Sequence, residues 1–136
     1  MNIIKKLTIC AVYLLIFCLW LAPKVSAQTS LEIKKADKLF SGFWIDRKTS
    51  RQLLIGVEKD GYVIINDWTG KMQDRGSADA YKANIKGEKL IMPPEFEHHA
   101  PYAEILILNK KLIYLTKFKD VTGKEVVTRQ SFVKRN

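Results

Sequence analysis

Cysteine is almost missing from this 136-residue chain, and its two copies, Cys10 and Cys18, both precede Leu21. Everything after Leu21 therefore lacks a thiol, which excludes disulfides and Cys-based metal sites there. The domain must hold together through its apolar core and stands apart from small disulfide-stapled secreted folds. Proline is scarce, with three of the four copies between Pro93 and Pro101, and histidine occurs only as His98-His99. No Gly-rich phosphate loop and no Gly-x-Ser-x-Gly nucleophile turn is present. Like-charged runs are missing too. The densest basic run at the C-terminus is Lys134-Arg135, too short for a nucleic-acid tail, so no nucleic-acid partner is expected.

What the N-terminus has is an export pattern. Lys5 and Lys6 precede an almost wholly apolar run from Leu7 to Leu21, Pro23 breaks any helix, and Val25-Ser26-Ala27 offers a cleavage site. A helix through that run would span about 22 Å, short of a ~30 Å hydrocarbon core. The expectation is a signal peptide over residues 1–27, cut after Ala27, with an uncleaved N-terminal anchor as the alternative. The product would be periplasmic or secreted. Residues 28–136 then form a single domain. Loss of Lys5, Lys6 and Lys24 leaves 20 basic against 14 acidic residues, a net charge of +6. A positive excess of this size favours contact with anionic lipid head groups, acidic polysaccharide or nucleic acid, whereas its even scatter along the chain fits a simple role in solubility.

Thr29-Ser30-Leu31-Glu32 has capping-box spacing and predicts a short helix that Gly42 ends. From Ser41 onward, short apolar runs alternate with turn residues. Leu53, Ile55 and Val57 share one face of a strand, Asp60-Gly61 reads as a two-residue hairpin turn, and Tyr62 to Trp68 returns. That turn would set Val57 against Ile64, Ile55 against Asn66 and Leu53 against Trp68, leaving Leu54, Val63, Ile65, Ile113 and Leu115 facing outward. Turns at Gly87-Glu88 and Asn109-Lys110 would set Ile85 against Leu90, Ile107 against Leu112 and Ile105 against Tyr114. With a strand from Gly42 to Arg47, a short one near Lys71 to Asp74 and a last one from Glu125 to Lys134, eight or nine strands are expected. Connections this short exclude crossover helices, so the fold class is all-β, an antiparallel up-and-down meander closing into a small barrel of about eight strands with a short N-terminal helix.

Gly42-Phe43-Trp44 at the start of the first strand, after a short helix and before a series of hairpins, resembles the lipocalin and wider calycin pattern, in the compact form of bacterial exported domains. In that family Gly-x-Trp opens the first strand, and the Trp closes one barrel end beneath a basic residue from the last strand. The resemblance thus implies a barrel-closing set of Gly42, Trp44 and either Arg129 or Arg135, by cation–π contact. The family's Thr-Asp-Tyr motif is missing here.

Chemistry-bearing candidates are few. Glu95, Glu97 and one of His98 and His99 have ligand chemistry for a divalent ion, but adjacent histidines in an extended chain point apart, so no metal and no other cofactor is expected. Asp46, Asp67 and Asp79 read as solvated carboxylates at strand ends or on an outward face, and no catalytic residue is assigned. Trp44, Trp68, Tyr81, Tyr114, Phe118 and Phe132 fall on the predicted interior face, as core or, for Trp44, Trp68, Tyr81, Tyr114 and Phe118, as the lining of a ligand pocket. Two non-catalytic functions follow. One is a carrier of a small hydrophobic or amphipathic ligand. The other is a solid-core module that binds an envelope or protein partner through its outer surface.

Overall fold

A computed structural model describes residues 29–71, 76–96 and 100–135. The expected signal peptide and its cleavage site lie outside these residues, as do Glu97, His98 and His99 and most of the short strand expected near Lys71 to Asp74.

The described chain is one helix followed by eight strands that close into a barrel in sequence order, every neighbouring pair antiparallel. Helix α1 spans Ser30–Phe40, and the strands are β1 (Gly42–Asp46), β2 (Arg51–Val57), β3 (Tyr62–Thr69), β4 (Asp79–Lys86), β5 (Lys89–Met92), β6 (Tyr102–Leu108), β7 (Lys111–Lys119) and β8 (Glu125–Arg135). The capping box starts α1: the Thr29 hydroxyl accepts from the Glu32 amide at 3.3 Å, and the Glu32 carboxylate accepts from the Thr29 amide at 3.0 Å. Two orphan donors are thereby satisfied at once.

The local turn chemistry explains the hairpins. Asn109 and Lys110 both take positive φ, 50° and 63°, as a mirror-image two-residue turn demands, and Ile107 faces Leu112 and Ile105 faces Tyr114 as expected. Gly87, at φ 61°, supplies the single positive φ that sets Ile85 against Leu90.

The first hairpin differs from the sequence expectation by one residue. Val57 pairs with Val63, Ile55 with Ile65 and Leu53 with Asp67. The Gly61 amide donates to the Glu58 carbonyl at 3.0 Å, and the Glu58 amide donates to the Tyr62 carbonyl at 2.7 Å. The connection is therefore the three-residue loop Lys59-Asp60-Gly61, with positive φ at Gly61 alone. A slip of one residue exchanges the two faces of a strand. Val63 and Ile65 accordingly face inward and are fully buried, whereas Ile64, Asn66 and Trp68 face outward. Trp68 is still shielded, because its ring lies 5.6 Å from that of Phe43 and its Nε1 donates to the Lys71 carbonyl at 3.2 Å. Asp67 moves the opposite way and enters the barrel, which corrects its reading as a solvated carboxylate.

The barrel has two unlike ends. At the end formed by the start of β1 and the end of β8, α1 lies across the opening and inserts Phe40 and Ala36 into the core. Between the ends, Leu53, Ile55, Val63, Ile65, Leu90, Ile105, Leu112 and Phe132 are all at most 2% exposed, so the middle of the barrel is filled by its own side chains. Each such side chain contributes on the order of 1.5–3 kcal/mol by leaving water. The far end, at the start of β2, β4 and β8, is lined by polar and aromatic groups.

Candidate functional site at the seam between the first and last strands

The two strands that close the barrel are of unequal length. β1 has 5 residues and β8 has 11. Pairing between them covers only Phe43 with Arg135, Trp44 with Lys134 and Ile45 with Val133. Beyond Ile45 the chain leaves the sheet in the turn 47–50. There the Asp46 carboxylate accepts from the Lys48 amide and the Thr49 hydroxyl, both at 2.9 Å. Burial pushes the Asp46 carboxyl up, but those hydrogen bonds outweigh it and hold it below the usual range, so its charge is committed to the turn.

From Glu125 to Phe132, the side of β8 that faces away from β7 has no strand partner among the described residues. A cavity of about 570 Å³ lies where the partner is missing. Ile45 and Val133 give it apolar wall, and one carboxylate, Asp46, and four cations surround it: Arg47 and Lys48 from the β1–β2 turn, Lys111 from β7 and Arg129 from β8 are the cations. None of the four has an ion pair or side-chain hydrogen bond among the described residues. Gln130 links the cavity to the interior, because it lines the opening and also accepts a hydrogen bond from Arg51 Nη1. At this level the barrel is closed by a side-chain bridge rather than by backbone pairing.

Arg51 anchors the far end from inside. Its Nε donates to the two Asp67 carboxylate oxygens at 3.0 and 3.2 Å, and its Nη2 reaches the same group. The guanidinium also stacks 4.5 Å from the centroid of the Tyr114 ring and 5.8 Å from that of Phe132. Burial alone would lower the Arg51 pKa, and the Asp67 carboxylate raises it above its ordinary value. Burial raises the Tyr114 hydroxyl, with Arg51 opposing. Burial also raises the Tyr81 hydroxyl, with the Asp79 charge adding to it, and Tyr81 donates weakly to Asp79 at 3.4 Å. These shifts stabilise neutral phenols and a permanent cation at the far end.

The sequence-predicted pocket residues do not form one group. Tyr81, Tyr114 and Phe118 point toward the polar far end, where Phe118 is 41% exposed. Trp44 lies at the helix-covered end with its Nε1 donating to the Phe40 carbonyl at 2.8 Å, and Trp68 is outside the barrel altogether. The cation above Trp44 is Lys134, at 5.4 Å, next to Gly42. Arg135 stacks outside on Phe43 at 5.5 Å, and Arg129 faces the side cavity instead. Counting alternate positions onward from buried Phe132 would have found Lys134. Arg51 was legible in the same way, as a charged residue in phase with Leu53 and Ile55. The side cavity had no sequence signal, since its four cations come from three separate segments.

Of the metal candidates, Glu95 pairs its backbone with that of Ala100 through two hydrogen bonds of 2.9 Å. Among the described residues, no group of three or more His, Cys, Asp or Glu side chains is placed to hold an ion.

No protein-family model, no curated protein and no solved structure matches the chain. The architecture alone defines its class: a closed, eight-stranded antiparallel β-barrel with a short helix at the N-terminal side.

Proposed function

We propose that this is an exported, non-catalytic binding domain of lipocalin-like type that takes anionic ligands in the opening between β1 and β8. The lipocalin-like assignment is supported by the meander order, by Gly42-x-Trp44 at the start of β1 and by the cation over Trp44. The observation that carries the function is the cavity of about 570 Å³ bordered by Arg47, Lys48, Lys111 and Arg129, none of which forms a close ion pair among the described residues, although the Asp46 charge acts on Lys48. Four cations against the single Asp46 carboxylate around one concavity raise the local concentration of anions and reward a carboxylate or phosphate that bridges two of them. An apolar guest inside the barrel would have to displace Leu53, Ile105 and Phe132 from a packed interior, which favours binding at the outer surface.

Amide NMR shifts during titration with citrate, pyrophosphate and oleate test this. The two polyanions should move resonances of 45–49, 111 and 129–131, and the double variant Lys111→Gln/Arg129→Gln should abolish the response. Oleate shifting Leu53 and Ile105 while the polyanions move nothing would refute the proposal and restore the carrier.

A further inference from the structure

We infer that the ligand of this opening is an extended acidic polypeptide segment, bound as an added strand along the free edge of β8. The inference rests on the anion-binding reading above and adds the shape of the ligand. Its starting point is the edge itself. Residues 125–132, Glu-Val-Val-Thr-Arg-Gln-Ser-Phe, contain no proline, glycine or lysine and include three β-branched residues in succession, Val126, Val127 and Thr128. Exposed edges are ordinarily blunted by charged side chains, proline, a bulge, short length or a covering element. This one has no proline, no bulge and no shortness, since it belongs to an 11-residue strand whose pairing with β7 runs without interruption from Glu125 to Val133, and its only charges are Glu125 and Arg129.

The cavity stands on the line that β1 would follow if it continued past Ile45, between the β8 edge and the turn 47–50. An incoming strand there would satisfy backbone donors and acceptors of β8 and complete the barrel wall that Arg51 and Gln130 now bridge by side chains. Its side chains would alternate between the barrel mouth and the outer face, where Arg129, Lys111, Arg47 and Lys48 select carboxylates.

Charge decides among occupants. Residues 1–28 of this chain contain Lys5, Lys6 and Lys24 and no acidic residue, so they are repelled rather than attracted. A second copy paired edge to edge would bring a second Arg129 and a second set of the same cations. An acidic partner chain meets neither objection.

The test uses three synthetic octapeptides on the purified protein: alternating Glu-Val, the same sequence with alternate backbone nitrogens methylated, and alternating Lys-Val. Fluorescence anisotropy gives affinity, and hydrogen exchange reports protection of amides 125–131. The Glu-Val peptide should bind and slow exchange along β8. Methylation should weaken it by about ten-fold or more, the equivalent of one or two backbone hydrogen bonds, and Lys-Val should not bind. Arg129→Glu, at an exposed position that leaves the core intact, should weaken the Glu-Val peptide by a similar factor. Equal binding of the methylated peptide without amide protection would overturn the added strand, while the citrate response would leave the anion reading standing. Preferential binding of polygalacturonate without protection of β8 would do the same, as would a dimer of the protein alone with residues 125–131 already protected. Failure of both citrate and the Glu-Val peptide would remove both readings together.

Discussion

Asp67 is the residue whose removal most directly probes how the far end of the barrel is held. Its carboxylate takes three hydrogen bonds from Arg51, and the two side chains are only 12% and 21% exposed. Truncation in Asp67→Ala leaves the guanidinium between Tyr114, Phe132 and Gln130 with no counter-charge. Breaking a fully buried pair from one side costs about 3–5 kcal/mol. Residual access to water at Arg51 lowers that to about 2–3 kcal/mol here. With a urea m-value of about 1–3 kcal/mol/M, the midpoint should fall by roughly 0.7–3 M at an unchanged slope. The double variant Arg51→Met/Asp67→Leu removes both charges and keeps the volume apolar, so it should recover most of the loss and lie within about 1 kcal/mol of the parent. Urea unfolding of the parent, Arg51→Met, Asp67→Leu and the double variant closes the cycle, with Asp67→Ala measured beside it. A loss below about 0.5 kcal/mol in Asp67→Ala, or a double variant as unstable as the sum of the singles, would refute the claim that the pair acts as a desolvated unit.

Two further outcomes test other parts of the fold. Hydrogen bonds from Lys117 and then Lys89, at 2.6 and 3.0 Å, hold the Glu104 carboxyl down to about 2, so its contribution is complete above the ordinary carboxylate range and is lost as pH falls from about 5 toward 2. Because both lysines are substantially exposed, Glu104→Gln should cost about 1 kcal/mol at pH 7 and only a few tenths of that at pH 2.5, and equal unfolding curves for the two proteins at pH 7 would contradict this. Gly42 opens β1 at φ 125°, a conformation that L-residues rarely adopt, and an added Cβ would lie 2.8 Å from Lys134 Cε. Gly42→Ala should therefore cost about 1–3 kcal/mol through backbone strain and shift Trp44 fluorescence as Lys134 moves, and a melting temperature equal to the parent's would argue that the turn relaxes freely.

Much of the architecture was legible because it is local. The capping box at Thr29 to Glu32, the Asn109-Lys110 turn and the alternation of Leu53, Ile55 and Val57 each specify their own conformation within a few residues. The candidate site was less legible because it is made by what happens between distant segments. Lys111, Arg129 and the pair Arg47-Lys48 read as scattered surface charge until the barrel closes and sets them around one opening. The resemblance to Gly-x-Trp barrels implied Arg129 or Arg135 over Trp44, whereas the cation there is Lys134, because β8 presents even-numbered positions to the interior.

The sequence by itself determined that this chain is a meander of short hairpins with an apolar interior, since turn residues and a period of two act over only a few bonds. Two matters were left to the tertiary structure. One was the register of the β2–β3 hairpin, where Asp60-Gly61 admits loops of two or three residues that differ little locally but bury opposite faces of β3. Packing chose the version that places Val63 and Ile65 in the core and seats Trp68 on Phe43 outside. The other was the seam, where a 5-residue first strand meets an 11-residue last strand and the unmatched length becomes an open edge. Strand lengths are local properties, but a mismatch between the first and the last acquires physical meaning only when closure brings them side by side.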